Sequence, residues 1–328
     1  MSQSSSIPRV LQPLGKPSSY VVPAHEDGAI TIPSTKSTVR IFASAKETEG
    51  LISVFGMGGA IAEPQSFHNR NLAHDVFMCT KGHLKVWTRN RCKIFGPGDF
   101  CYVPSKVDFF PFVTERYDGV VADEFDNRTP EDTFKPKFRE TEEKYDVMFQ
   151  LEFQDAEVSE WTMEDTVLPE DAGEEYYLKA NTGPCRLLER VLRQPFITTK
   201  QSKAQKGNFA IMSIRSSNRL ADSVPSKPFA SEKIHQVYHM LAGAISVTVH
   251  RSANLMRAGE TAFVPAEISI DFVNRYNRFW AYSSGDALES LIADAGGKYE
   301  GTMVQDQSRA FDKEALKQAE KHNCKISL

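Results

Sequence analysis

The sequence predicts an all-β protein of two antiparallel β-barrel or jelly-roll domains, followed by a C-terminal helix. Short runs of β-branched and aromatic residues alternate with Gly and Pro turns, as in HLKVWT, DFCYVP, ISVTVH and TAFVP. The chain also matches itself without gaps at an offset of 161 residues, which places Gly82 on Gly243 and Pro104 on Pro265. A match at a fixed offset is the signature of a duplicated unit. Closure of each unit into a barrel removes exposed strand edges.

The repeat covers both halves of the barrel motif, AHDVFMCTKGHLKVW with IHQVYHMLAGAISVT and GPGDFCYVPSKVDFF with RAGETAFVPAEISID. The further matched pairs are His74 with His235, Val76 with Val237, Gly98 with Gly259, Asp99 with Glu260, and Val103 with Val264.

Five segments follow from this repeat. We predict an N-terminal arm at residues 1–50, an N-terminal barrel at 51–145, a connecting segment at 146–205, a C-terminal barrel at 206–290 and a helical tail at 291–328. The polar, acidic stretch around residues 126 to 175 has few strand signals, which favours a connection.

The tail contains SRAFDKEALKQAEKH, in which apolar residues recur at helical spacing. Ser308 stands at the start of this run as an N-cap, because its hydroxyl can accept from the first free amides of a helix. We therefore predict one amphipathic helix packed on the second barrel.

Composition excludes several classes of function. The 328 residues are 41% hydrophobic and 25% charged with a net charge of −4, which fits a globular protein and gives no basic surface for nucleic acid. We expect no membrane segment, because no apolar run approaches the roughly 20 residues needed to cross a bilayer. The N-terminus lacks a secretory h-region, and the five cysteines are scattered without a CxxC pair. These features predict a cytoplasmic protein without disulfides, and a homodimer stays open.

The order of Gly82, GPGD at 96–99 and VP at 103–104 resembles the two-motif pattern of cupins. The stretch from FGMGGAIAEPQSFHNRNLAHDVF to GPGDFCYVP, with GVVADEFDNR after it, is similar to fungal quercetin 2,3-dioxygenase-type bicupins. The similarity spans most of residues 20–128 and, more loosely, 205–290. It implies a bicupin fold, and in that family the first barrel would hold a metal for dioxygenation.

The family's ligand positions carry altered residues in this chain. Counting back from Gly82 gives His68, Arg70 and Asp75, and the fourth position falls at Phe109. A guanidinium has no lone pair to donate and stays protonated, and a phenyl ring cannot coordinate. The resemblance therefore implies a barrel without its metal, and we predict no metal and no other cofactor.

The second repeat keeps none of the ligands. The same count gives Phe229, Ser231, Gln236 and Ile270. His74 is an alternative ligand beside His68, but it is adjacent to Asp75, and neighbouring side chains on a strand point to opposite faces. We interpret His74 as structural and the second barrel as packed.

A barrel without metal still offers a concave, apolar-walled site. We predict that Arg70, His68 and Asp75 are catalytic, with Arg70 donating hydrogen bonds to a carbonyl or enolate oxygen and His68 acting as a second donor or a base. The alternative is that Arg70 and Asp75 form a buried ion pair that only fills the space of the metal. The predicted aromatic walls, each with a core role as its alternative, are Phe77, Trp87, Tyr102 and Phe109.

No nucleophile elbow, phosphate loop or HExxH motif occurs in the sequence, which leaves reactions that need positioning and polarisation. The chain resembles cupin enzymes of fungal secondary metabolism that join a quinone methide to a terpene alkene in tropolone-sesquiterpenoid pathways. The resemblance implies a metal-independent hetero-Diels–Alderase acting on a small apolar or aromatic substrate. A metal-dependent quercetinase-like dioxygenase and a non-catalytic bicupin that binds polyphenols or terpenoids stay open.

Overall fold

The computed structural model of the chain describes residues 7–24, 28–32, 37–59, 68–89, 91–107, 109–113, 117–122, 146, 148–149, 157–171, 173–188, 191–204, 208–216, 229–231, 234–249, 252–266, 269–270, 276–285, 287–301, 317, 321–322 and 324–326.

In chain order the strands are β1 (Tyr20–Val22), β2 (Ile30–Ile32), β3 (Ser37–Ala43), β4 (Val54–Gly59), β5 (His68–Asn69), β6 (Asp75–Lys81), β7 (Leu84–Thr88), β8 (Arg91–Phe95), β9 (Phe100–Val103), β10 (Phe109–Val113), β11 (Tyr117–Ala122), β12 (Met148–Phe149), β13 (Tyr176–Leu178), β14 (Cys185–Leu188), β15 (Val191–Ile197), β16 (Ala210–Ser216), β17 (Phe229–Ser231), β18 (Gln236–Val249), β19 (Ser252–Arg257), β20 (Thr261–Val264), β21 (Ser269–Ile270), β22 (Asn277–Ser283), β23 (Gly297–Tyr299) and β24 (Cys324–Ile326). The helices are α1 (Thr199–Ala204) and α2 (Leu288–Ala295), with a short 3-10 turn at Glu164–Thr166.

These elements form two compact units. The first barrel comprises residues 28–45 and 52–182, and the second barrel comprises residues 1–27, 46–51 and 183–328. The first contains the sheets β12-β5-β10-β7-β8 and β13-β9-β6-β11-β4-β3-β2, and the second contains β1-β20-β18-β22-β16-β15-β14-β23, with β19 on β18, and β21-β17-β24. The ladders between these strands are antiparallel, which confirms the predicted all-β fold class.

The strand register confirms the internal repeat. When two residues pair in the first barrel, the residues 161 positions later pair in the same way in the second barrel. The corresponding pairs are Asp75–Val103 and Gln236–Val264, Val76–Tyr102 and Val237–Phe263, Phe77–Cys101 and Tyr238–Ala262, and His68–Phe109 and Phe229–Ile270. The residues at the predicted ligand positions therefore occupy equivalent places in the two barrels.

The turn before β9 and its counterpart before β20 repeat in the same detail. Asp99 Oδ2 accepts a hydrogen bond of 2.8 Å from the Gly96 amide, and Glu260 Oε2 accepts one of 2.7 Å from the Arg257 amide. Gly98 and Gly259 have φ angles of 93° and 84°, a region that favours glycine because it lacks a Cβ. The GPGD stretch is therefore a carboxylate-capped turn.

Each barrel has its own apolar core. Alternate residues of a strand point to opposite faces of a sheet, so the inward rows supply one core cluster per barrel. In the first barrel the cluster includes Phe55, Phe77, Cys79, Leu84, Val86, Phe95, Cys101, Val103, Val107, Phe109 and Tyr177. In the second it includes Tyr238, Met240, Ile245, Val247, Met256, Ala262, Val264, Phe279 and Ala281.

The chain ends and the connecting segment hold more strands than the sequence indicated. Residues 1–50, predicted as an arm, supply β1 to the second barrel and β2 and β3 to the first. The connecting segment supplies β13 to the first barrel and β14 and β15 to the second. β1 and β13 have three residues each, and their partners β20 and β9 lie far away in the chain. The exact domain boundaries stay a prediction.

Residues 157–171, which we call the strap, run along β8 at the edge of the first barrel's smaller sheet. The Ser159 amide donates to the Cys92 carbonyl at 2.9 Å, and the Trp161 indole N–H donates to the Ile94 carbonyl at 3.1 Å. The strap thus covers polar groups of an edge strand that would otherwise be open to pairing with other chains.

Most of the predicted C-terminal helix, including Ser308, lies outside the described residues. Lys317 and Lys321 are helical. Lys321 Nζ lies 2.7 Å from Asp294 Oδ2 at the end of α2, and His322 Nε2 lies 2.9 Å from the same oxygen. This part of the tail is therefore held against α2 of the second barrel by an ion pair and a hydrogen bond.

Candidate functional site in the first barrel

The inward face of β6 begins with a carboxylate. Phe77 and Cys79 belong to the core of the first barrel, so Asp75, two residues before Phe77, points the same way. Val103 pairs with Asp75 and is fully buried. The carboxylate therefore lies at the end of an apolar row, where water cannot solvate it.

Arg70 provides the opposite charge. Its Nε lies 3.4 Å from Asp75 Oδ1, and the two side chains are 1% and 3% exposed. The Arg70 carbonyl accepts a hydrogen bond of 2.5 Å from the Lys106 amide, which fixes the backbone just after β5. The predicted catalytic pair is thus in contact and buried. Such burial costs solvation energy that the ion pair offsets only in part.

Two aromatic rings and an imidazole lie together on the neighbouring strands. The centroids of the His68 and Phe109 rings are 4.3 Å apart, and those of Phe77 and Phe109 are 5.3 Å apart. His68 and Phe109 also pair across β5 and β10. The structure therefore brings His68, predicted as catalytic, together with Phe77 and Phe109 of the predicted wall.

Trp87 and Tyr102 do not join this wall, which corrects part of the predicted substrate-binding set. Trp87 lies between the inward residues Val86 and Thr88 and points to the other face of β7, where the Lys85 ammonium is 5.7 Å from its ring centroid. The prediction from the sequence assigned these two aromatic rings to an inward wall, whereas strand alternation directs them outward.

Tyr102 likewise points outward from β9 and pairs with His74. The Tyr102 hydroxyl and His74 Nδ1 share a hydrogen bond of 2.9 Å, and the two rings stack at 5.8 Å. In the second barrel the equivalent residues, His235 and Phe263, stack at 6.0 Å. The repetition of this contact agrees with the structural interpretation of His74. It places His74 on the face of β6 away from Asp75.

The sequence missed Tyr177 as part of the barrel interior. Its hydroxyl shares a hydrogen bond of 2.7 Å with Thr88 Oγ1, on the strand opposite β13. Burial raises the pKa of the Tyr177 phenol above its ordinary value, so the group stays protonated. The run YYL at 176–178 carried a short strand signal, but it stood in a stretch predicted as a connection.

Two of the equivalent positions in the second barrel carry buried polar side chains. Ser231 and Gln236 are buried, and the Tyr238 hydroxyl donates to the Gln236 side-chain oxygen. Tyr238 belongs to the core cluster of this barrel. A packed interior in the second barrel stays a prediction.

His239 belongs to the other face of β18. Its Nδ1 shares a hydrogen bond of 2.8 Å with Thr261 Oγ1, and burial lowers the pKa of its imidazole to about 4. Strand alternation turns it away from Gln236, so it is not part of the ligand positions.

The residues at the ligand positions that the resemblance implies do not suit a transition metal. In the first barrel Arg70 and Phe109 cannot donate a lone pair, and the Asp75 carboxylate lies against the Arg70 cation. In the second barrel the four positions carry two apolar side chains, a serine and a glutamine. No cluster of three or more His, Cys, Asp or Glu side chains with metal-binding geometry occurs among the described residues.

The fold and site define a protein of two antiparallel β-barrels, the first of which has a buried cation at the positions where the resemblance implies metal ligands. The chain is similar to the protein Ylba from E. coli, with 8% identity, a TM-score of 0.52, and 86% of this chain and 94% of that chain covered. It is also similar to a putative glyoxylate-induced protein from Pseudomonas aeruginosa, with 10% identity, a TM-score of 0.52, and 86% and 92% covered. A cupin 2 conserved barrel domain protein from Leptotrichia buccalis matches with 12% identity, a TM-score of 0.44, and 77% and 91% covered.

At identities this low the similarity extends to the fold alone. No family model matches the sequence, and no curated protein matches it. Within the described residues, helices of the length and apolar character needed to cross a membrane are absent.

Proposed function

We propose that the first barrel is the site of a metal-independent enzyme that promotes a cyclisation. The specific candidate reaction is a hetero-Diels–Alder addition of a quinone methide to a terpene alkene. The supporting observation is the Arg70 guanidinium, buried beside Asp75 where the cupin fold places metal ligands. A fixed cation in an apolar site can polarise a carbonyl as a metal would.

Arg70 would donate hydrogen bonds to the quinone methide oxygen, where negative charge grows as the new ring forms. Asp75 positions the guanidinium through the 3.4 Å contact. His68, in contact with Phe109, would serve as a second donor or a base. The walls of Phe77 and Phe109 would hold an aromatic substrate by apolar contact.

This arrangement can supply the lowering of the activation barrier that the proposed cyclisation needs. Orienting two reactants can contribute about 7 to 11 kcal/mol to lowering a barrier. One preorganised donor at an oxygen that gains charge contributes about 3 kcal/mol more. A cycloaddition forms its bonds without a covalent enzyme intermediate, so no nucleophile is required.

The stereochemistry of the product tests the proposal. An ortho-quinone methide released in situ is mixed with a cyclic terpene alkene, and the enantiomers of the adduct are separated. Without protein the adduct is racemic, and with wild-type protein we expect one enantiomer in excess, in EDTA and under nitrogen alike. Arg70→Leu should lower the catalysed rate by roughly 10²-fold, as for loss of one oxyanion donor. Arg70→Lys should restore part of it, because an ammonium does not reproduce the planar fork.

Ser231→Ala is the matched control, because Ser231 is the repeat equivalent of Arg70 in the second barrel. It should retain wild-type turnover. Loss of activity in EDTA would favour the dioxygenase-type metal site instead. Binding of the terpene or the aromatic partner without conversion would indicate a binding protein, and a folded Arg70→Leu variant with unchanged rate would return Arg70 to a structural role.

A further inference from the structure

A second carboxylate, Glu175, lies in the same row of the first barrel as Asp75. Tyr176 pairs with Tyr102 across β13 and β9. Continuing that register by one residue places Glu175 beside Val103, and Val103 pairs with Asp75 on its other side. Two interstrand spacings separate the ends of the row, so the Cα atoms of Glu175 and Asp75 lie about 10 Å apart.

The Glu175 side chain points into the barrel. Tyr177, two residues later, belongs to the inward core with Phe77 and Phe109, and side chains two apart on a strand share a face. Both carboxylates also act on the Cys101 thiol between them. Burial raises the pKa of Cys101 well above its ordinary value; the Glu175 charge raises it further, Arg91 lowers it, and Asp75 adds a smaller rise.

One oxygen of the Glu175 carboxylate is shielded from water, although the residue as a whole is partly exposed. Its Oε2 is buried and has no hydrogen-bond partner among the described residues. An acceptor in this state loses its hydration and gains nothing in return, at a cost to folding. Most buried carboxylate oxygens are hydrogen-bonded, so a shielded oxygen without such a partner is a candidate to accept a hydrogen bond from a ligand.

We propose that Glu175 is the second anchor of the first-barrel site and accepts a hydrogen bond from a hydroxyl group of the ligand. This inference rests on the proposed function, because it uses Arg70 as the anchor for the ligand carbonyl. The site then takes rigid aromatic molecules with an oxygen acceptor at one end and a hydroxyl donor at the other. An apolar aromatic lacking the hydroxyl binds more weakly.

Two xanthones that differ by a single O-methyl group test this selectivity. In 3-hydroxyxanthone a hydroxyl group lies para to the ring carbonyl, and in 3-methoxyxanthone a methyl group blocks that donor. We expect wild-type protein to bind the hydroxyl compound about 10-fold more tightly in calorimetry, since hydrogen bonds to a charged acceptor are strong. Glu175→Leu should reduce the preference to within about twofold. Glu174→Gln, at the exposed neighbouring position, is the control and should keep it.

The two proposals fail in different ways. Arg70→Leu should weaken both xanthones and keep their ratio. If it does so while Glu175→Leu leaves the preference unchanged, only the Glu175 assignment is overturned. Failure of the wild-type protein to bind either xanthone overturns the assignment of both anchors.

Stability of the protein without ligand gives an independent measure. Removing a buried acceptor that has no partner should raise the melting temperature, by about 2 °C. A structural glutamate would instead give a lower melting temperature on replacement by Leu. That result, together with an unchanged xanthone preference, contradicts the proposal.

Discussion

At the scale of single residues, Arg70 and Asp75 depend on each other. Both side chains are almost fully buried, and Arg70 Nε lies 3.4 Å from Asp75 Oδ1. A buried charge without its partner retains the cost of desolvation and loses the attraction that offsets it. The pair should therefore respond differently to single and double replacement.

We expect Arg70→Met alone to lower the free energy of unfolding by about 3 to 5 kcal/mol, because Asp75 is left buried and uncompensated. Combining Arg70→Met with Asp75→Val should recover most of that loss, since no charge then remains. Urea unfolding of the two single variants and the double variant measures the coupling. If the loss in the double variant equals the sum of the losses in the two single variants, the two side chains do not act as a pair.

At the scale of elements, the strap is tied to β8 by a buried ion pair. Lys93 Nζ lies 2.8 Å from Asp165 Oδ2 and donates to the Glu160 carbonyl at 2.7 Å. Burial raises the pKa of Asp165, but hydrogen bonds from Lys93 and Thr162 outweigh this, and the net pKa lies below the ordinary value of 3.8. The ion pair therefore stabilises the fold at pH values above 3.8. This stabilisation is lost as the pH falls through the lowered pKa of Asp165 in the folded protein.

Asp165→Asn should lower the free energy of unfolding at neutral pH by roughly 2 kcal/mol. The difference from wild type should shrink in acid, because wild-type Asp165 then becomes neutral as well. Chemical denaturation over a pH series measures it. Glu300→Gln is the control, since the Lys298–Glu300 pair is exposed and worth little. A difference that stays constant into strong acid would count against the ion pair.

The bend within β18 depends on Gly243, whose φ is 71°. A Cβ at this position would lie 1.9 Å from the Tyr276 carbonyl oxygen, whereas one at Gly50, with a φ of 82°, would meet nothing within 4 Å. Gly243→Ala should therefore cost more than 2 kcal/mol and Gly50→Ala only about 1 kcal/mol, the strain of the backbone alone. Thermal unfolding compares them. Similar losses would mean that Tyr276 moves aside without cost.

At the scale of the whole molecule, the sequence predicted the duplicated barrels well because their signals are local and repeated. Gly82, Gly98 and the offset of 161 residues located the turns, and the register followed from them. Phe77 and Phe109 of the predicted wall lie on inward rows, and their role toward a substrate stays a prediction.

What the sequence could not provide is pairing between distant segments. β1 joins β20 and β13 joins β9, and neither strand has more than three residues. Such strands acquire their structure from partners rather than from their own pattern. The same limit hid Glu175 and Tyr177, because their inward direction depends on the register of β13.

The shared turns also bear on the history of the gene. Between the positions of Arg70 and Phe109, and between those of Ser231 and Ile270, the two copies keep the same length and the same pairing. They have diverged there by substitution alone, because an inserted residue would reverse the inward row of a strand. In a duplicated gene of this kind, point mutations can change the chemistry inside one barrel while the other barrel keeps its fold. A single substitution that introduces an arginine is enough to begin such a change.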